Sequence, residues 1–251
     1  YVDASGSLTF ASGELTKTID VTVNGDTKYE ADETFTVDLS GATNATITDN
    51  QGLGTIQNDD SVPALDIDNV TANEGDAGTT TFTFTVSLSN ESYQTVTVDY
   101  STSDISAEDE NGDGDYVSQS STLTFNPGET SQTIDIAVNG DTKYENNEMF
   151  RIDLINEVNA TISDGVGVGR VTNDDSEPTI IINDQTVDEG DAGTKVMTFT
   201  VSLSNLSSET ITVDYTTTDG TATIADGDYV ATSGTLTFNE GDLTQTVSVT
   251  I

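Results

Sequence analysis

One heptapeptide, Asn24-Gly-Asp-Thr-Lys-Tyr-Glu30, recurs letter for letter as Asn139-Gly-Asp-Thr-Lys-Tyr-Glu145, 115 positions later. At the same spacing Asn58-Asp-Asp60 returns as Asn173-Asp-Asp175, and Glu74-Gly-Asp-Ala-Gly-Thr79 as Glu189-Gly-Asp-Ala-Gly-Thr194. The spacing falls to 113 between Tyr116-Val117 and Tyr229-Val230, because the loop before Tyr116 is two residues longer. Self-similarity at a fixed period means that one structural unit is reused along the chain. On this phasing residues 61–175 form a complete repeat, 1–60 the C-terminal half of one, and 176–251 the N-terminal two-thirds of another. Half a sheet structure exposes strand edges and an uncovered apolar face. The expectation is a window onto a longer array; the other reading is that neighbouring chains complete each other's domains.

Within the complete repeat the apolar residues alternate. Thr81-Phe-Thr-Phe-Thr-Val-Ser-Leu-Ser89 and Thr210-Ile-Thr-Val-Asp-Tyr215 have the period of two that marks half-buried strands. That pattern outweighs a composition of 33% hydrophobic residues and net charge −39, which taken alone would suggest disorder. Clusters of Gly, Asn, Asp and Ser bound seven strands, A to G, at 64–72, 80–89, 94–102, 116–125, 131–138, 148–155 and 166–173. No helical period occurs. The fold class expected is therefore all-β, a tandem array of immunoglobulin-like antiparallel β-sandwiches with about seven strands per repeat; an open barrel is the fallback. Phe82, Phe84, Tyr100 and Phe125 fall in strand pattern and are expected in the core. The linkers Ser61-Val-Pro63 and Ser176-Glu-Pro178 are short, so repeats should stack end to end.

The chain has no Cys, no His and no Trp. That removes thiol nucleophiles, imidazole bases, disulfides and nitrogen- or sulfur-ligated zinc. Six basic against 45 acidic residues repel phosphate backbones and anionic membranes, so nucleic acid is not an expected partner. No apolar stretch approaches the roughly 18 residues that would cross a bilayer, so no membrane insertion is expected of this segment.

The acids are not spread evenly. In seven antiparallel strands, the AB, CD and EF loops share one end with the exit of strand G. Thirteen of the twenty-two acids of residues 61–175 fall at that end, and four fall at the other. Two carboxylates 4 Å apart repel by about 4 kcal/mol at an effective dielectric near 20. A hard divalent cation taking carboxylate and carbonyl oxygens relieves this, and calcium tolerates the irregular geometry of loops better than magnesium does. The bland alternative is a solvating coat of acids, but such a coat has no reason to favour one pole. The CD loop adds a local signal: Asp109-Glu-Asn111-Gly-Asp113-Gly114 fits the start of a calcium loop. An EF-hand is excluded, because its twelfth position would be Ser120 and no helices flank it. An accessory calcium site built from Asp109, Asn111, Asp113 and Asp115 remains as a reading of this turn.

The combination of Glu74-Gly75, of Thr218-Asp-Gly-Thr-Ala222 followed by Asp228-Tyr229, of Asp141-x-x-x-Glu145-x-x-Glu148 and of a closing Asn173-Asp-Asp175 resembles the Calx-beta repeat. The resemblance implies a sandwich that binds calcium at one pole. By motif it implies as ligands Glu74, Asp104, Asp141, Glu145, Glu148, Asp174 and Asp175, with Lys143 offering its backbone carbonyl. In the first repeat the matching set is Asp26, Lys28 (carbonyl), Glu30, Glu33, Asp59 and Asp60; in the third, Glu189 and Asp219. The family's calcium sensors carry a longer acidic run here, whereas this chain has Asn139-Gly140 and Asn146-Asn147. Fewer charged ligands imply fewer or weaker ions, in the range of about 10⁻⁴–10⁻³ M seen in extracellular modules.

The function expected is a calcium-binding structural repeat that stiffens a long extracellular or cell-surface protein, an adhesin or fibre, with Ca2+ at the acidic pole between repeats. Its partners would be calcium ions and adjacent repeats, of the same chain or of neighbouring copies. The alternatives are an adhesive module recognising a host glycan or surface protein, and a filament unit whose neighbouring chains complete each other's domains. Catalysis is not expected. Paired carboxylates are present, but metal ligation accounts for them and no Trp platform accompanies them.

Overall fold

The structure is a computed structural model and describes residues 1–109 and 114–251. Strands are the regular elements of the described residues. The first segment contains β1 (Glu33–Asp38) and β2 (Gln51–Ile56). The second contains β3 (Ala64–Ile67), β4 (Val70–Asn73), β5 (Gly78–Leu88), β6 (Val96–Asp104), β7 (Ser120–Phe125), β8 (Ser131–Gly140), β9 (Glu148–Val158), β10 (Thr161–Asp164) and β11 (Val166–Thr172). The third contains β12 (Ile180–Ile182), β13 (Val196–Leu203), β14 (Ile211–Thr216), β15 (Ser233–Phe238) and β16 (Thr244–Thr250).

In the second segment two sheets face each other, β10-β3-β5-β8 and β4-β11-β9-β6-β7. The pairings are antiparallel except for β3 with β10 and β4 with β11, which run parallel. The alternation read from the sequence appears directly in burial. Along β5, Phe82, Phe84, Val86 and Leu88 point inward while the threonines between them face out. Opposite them Val96, Val98 and Tyr100 of β6 and Phe150, Ile152 and Leu154 of β9 close the core. Tyr116 stacks on Phe150 with ring centroids 4.5 Å apart, and the rings of Phe82 and Phe84 each lie 6.0 Å from Phe150. Burying a side chain of this size is worth about 1.5–3 kcal/mol, so four clustered rings dominate the core. Phe125, in β7, is also buried.

Two strands differ from the reading of the sequence. Strand A is divided: β3 belongs to one sheet and β4 to the other. At the crossing, Asp68 Oδ1 accepts the Thr85 N–H at 2.8 Å and Asn69 Oδ1 accepts the Val168 N–H at 2.7 Å. Each side chain thus satisfies a backbone donor that an uninterrupted strand would have served. Strand D begins at Ser120 rather than 116, and Tyr116 makes only isolated bridges, to Val138 and Asp109.

The third segment has sheets β12-β13-β16 and β14-β15 around a small core of Val201, Leu203, Phe238, Val247 and Val249. The first segment contributes the hairpin β1-β2, against which Tyr1 stacks on Phe35 at 4.8 Å. At the 115 spacing β1 matches the start of β9, and β2 matches β11 through Val171.

Candidate metal centre at the acidic pole

The β4–β5 loop and the β8–β9 loop are pressed together by glycine. A Cβ on Gly140 would lie 2.0 Å from the Gly75 carbonyl oxygen, so only glycine permits this approach, and Gly75 itself has φ +87°. The end of β11 joins them: the Glu74 N–H donates to the Thr172 carbonyl at 3.3 Å, and Gly75 N–H donates to Asp174 Oδ1 at 3.1 Å. The β6–β7 loop is attached through Asn139, whose N–H donates to the Asp115 carbonyl at 2.8 Å. These contacts gather at one pole the loops whose acids the sequence singled out.

Several carboxyl groups there are held partly or wholly away from water: Glu74 is 4% exposed, Glu145 8% and Asp115 9%, and Asp175 is half-buried. The Glu74 carboxyl is pushed up to about 8, first by burial and then by the charges of Glu145, Asp141, Asp175 and Asp174. Glu145 is raised mainly by burial, against the pull of Lys143. Asp175 is raised by burial and then by Asp76, Asp141 and Asp174. Asp175 Oδ2 is buried without a hydrogen-bond partner, and such an atom costs free energy unless something occupies it.

Protein donors engage the other acids. Asp141 Oδ1 accepts the Lys143 N–H at 2.6 Å, and Asp174 Oδ2 accepts from Asn73 Nδ2 at 3.2 Å. Asp115 Oδ2 accepts the Glu108 N–H at 2.7 Å. Asp104 Oδ1 accepts the Tyr116 hydroxyl at 2.5 Å, tying this carboxylate to the core ring beneath it. Glu148 opens β9, half-buried, opposite Val171. Asp109 is half-buried and bridges to Tyr116. Asn111 and Asp113 lie outside the described residues, so the accessory turn is seen only at its edges. Among the described residues no group of three or more acids is arranged around one point as a metal would require. The reason is visible: the carboxylates are turned toward N–H groups, a hydroxyl and an ammonium. The donor set nevertheless suits a hard cation, being all oxygen with one buried oxygen left over.

Lysine enters the pole in a way the sequence reading did not foresee. The resemblance gives Lys143 a carbonyl role, but its ammonium, 11% exposed, sits 2.8 Å from Glu145 Oε1 and 2.9 Å from Glu240 Oε1 of the third segment. Asp76, one of the acids that loop parity puts at this pole but absent from the ligand set that the resemblance implies, faces Asp175 closely enough to raise it. Its position inside the repeated Glu-Gly-Asp was the available signal.

In the first segment Asp26 Oδ1 accepts the Lys28 N–H at 2.9 Å, repeating the Asp141–Lys143 turn. The Glu30 N–H donates to Asn58 Oδ1 at 3.2 Å, and the Glu30 carboxyl is raised by burial, Asp26 and Glu33. Asp26, Glu33 and Asp59 are exposed, Asp60 is half-buried, and Lys28 pairs with Glu91 at 3.3 Å. In the third segment Glu189 is exposed. Asp219 Oδ1 accepts from the Tyr229 hydroxyl at 2.7 Å, the same bond as Asp104 to Tyr116, and this bond lowers its carboxyl.

No curated protein matches the chain. Among solved structures, CBD12 from CALX1.2 aligns at 20% identity over 74% of this chain and 75% of that one, with a TM-score of 0.40. The calcium binding domain CBD12 of CALX1.1 aligns at 21% over 72% and 71%, with a TM-score of 0.39. The apo-form Calx CBD1 domain aligns at 22% over 46% and 100%, with a TM-score of 0.41. The Calx-beta domain model matches residues 1–60, 57–186 and 173–251, three consecutive stretches that together span the sequence, and the chain accordingly belongs to the Calx-beta domain family.

Proposed function

We propose that the chain is a calcium-binding structural array, part of a long extracellular surface protein, adhesin or fibre, in which Ca2+ stiffens the joints between repeats. The observation that carries this reading is the group of Glu74 and Glu145, both buried, with half-buried Asp175, whose Oδ2 is buried without a partner, beside the joint to the next segment. Glu74, Asp141, Glu145, Asp174 and Asp175 would hold the ion. Calcium would supply positive charge where burial and mutual repulsion oppose ionisation. The reading is non-catalytic: it assigns the carboxylates to ligation and the aromatic residues to the core.

The test is thermal unfolding and small-angle scattering of the whole chain in millimolar calcium and in excess chelator. Calcium is expected to raise the melting temperature by the linkage of ligand to the folded state, and to lengthen and stiffen the particle. Identical melting and scattering in both conditions would overturn the proposal.

A second reading, that neighbouring copies complete each other's sandwiches, has one observation in its favour. Among the described residues β14 pairs with β15 alone, whereas its counterpart β6 pairs with both β7 and β9. The hairpin β1-β2 is the sequence counterpart of what β14 lacks.

A further inference from the structure

The same main-chain joint recurs at both junctions. Tyr29 N–H donates to the Glu91 carbonyl at 3.0 Å, and Tyr93 N–H donates back to the Tyr29 carbonyl at 2.9 Å. At the second junction Tyr144 N–H donates to the Leu206 carbonyl at 2.9 Å, and Ser208 N–H donates back to Tyr144 at 3.0 Å. Asn90 Nδ2 reaches the Ser61 carbonyl at 3.1 Å, and Asn205 Nδ2 reaches that of Ser176 at 3.0 Å. The backbone contact is therefore indifferent to which repeat follows.

The side chains around it are not. The lysine preceding each bridging tyrosine is the same, but its acidic partner moves. Lys28 pairs with Glu91 on the loop between β5 and β6, and lies 5.6 Å from the centre of the Tyr93 ring. The counterparts of Glu91 and Tyr93 are Leu206 and Ser208, which offer neither a carboxylate nor a ring. Lys143 turns instead to Glu240, on the turn between β15 and β16. The counterpart of Glu240 at the 113 spacing is Pro127, which carries no charge. At each junction the lysine thus meets an acid of the following segment, drawn from a different loop, while Lys143 also keeps Glu145 of its own segment.

We propose that this lysine is the recognition residue of the joint: it accepts as its successor any repeat that presents a carboxylate on either of these two loops. The main-chain bridge supplies docking, at roughly 1 kcal/mol per hydrogen bond, and the ion pair supplies selectivity. Because pairs at this exposure are weak, losing one should raise the undocked population about two- to five-fold rather than separate the repeats.

The experiment uses the full chain in chelator, so that failure of the calcium reading leaves it standing. The chain has no cysteine, and Thr133→Cys with Thr246→Cys places spin labels on exposed sites of β8 and β16. Glu240→Gln, at a residue 59% exposed, keeps shape and folding but removes the charge. Electron–electron distance measurement should show the undocked population rising by that factor. Adding Leu206→Glu to Glu240→Gln should restore the narrow distribution, because it places the acid where the first junction has it. A Glu240→Gln distribution identical to the parent would overturn the proposal. So would a double variant that stays broad.

Discussion

At Glu74 the cost of gathering acids is concentrated in one side chain. Its folded-state pKa, about 8, stands above the 4.5 of an ordinary glutamate, so the folded protein binds this proton more tightly than the unfolded chain does. The stability it contributes is complete below about pH 4.5 and is lost as pH rises through 8. Glu145 and Asp175 are raised too and act in the same direction. In chelator the melting temperature should therefore fall from pH 5 to pH 9, by roughly 5 °C or more. Glu74→Gln should flatten much of that slope while weakening calcium binding. A slope unchanged in the variant would assign the pH dependence elsewhere. That these acids share one pole was legible from the alternation of loops between the two ends of an antiparallel sandwich. What the motif could not show is that Lys143 brings an ammonium among them, because its second partner, Glu240, lies 97 positions away and meets it only across a folded joint.

Along the strands the decisive contact is a ring laid over a glycine. Gly169 of β11 faces Phe150 of β9, and a Cβ there would lie 2.4 Å from the ring. Phe150 is fully buried among Phe82, Phe84 and Tyr116 and has nowhere to move. Gly169→Ala should cost about 1–3 kcal/mol, as overpacked cores do, read as a lower urea midpoint at unchanged slope. Gly54 faces Phe35 with the same 2.4 Å approach, but that ring is half-buried, so Gly54→Ala should cost less. Equal costs would contradict this account. Strand existence was legible because alternation reports which face is buried. The division of strand A was not, since a period of two is silent about which sheet a face belongs to, and the sequence reading carries one strand, 64–72, through Asp68-Asn69. The short β10 was missed for a related reason: Thr161–Asp164 has one half-buried residue, Ile162, and so hardly alternates.

At the scale of the molecule, a net charge of −39 must be spread along an array whose repeats meet acid-rich pole to next repeat. The contacts at both junctions place the β8–β9 loop, or its counterpart, against the following segment. The two readings of the part-repeats separate by mass. If neighbouring copies complete each other, sedimentation equilibrium of this chain should show a mass that rises with concentration; a constant monomer mass would discard that reading.

The bridge at Tyr29 and Tyr144 has a consequence for how such a protein changes over generations. Its two hydrogen bonds use only main-chain N–H and C=O groups, which every residue but proline provides in full. Side chains on the touching loops can therefore drift, as Glu91 and Tyr93 differ from Leu206 and Ser208, while the joint itself persists. A repeat copied, deleted or moved along the gene would arrive with its coupling already fitted, so that overall length can vary by whole units without any new interface having to be invented.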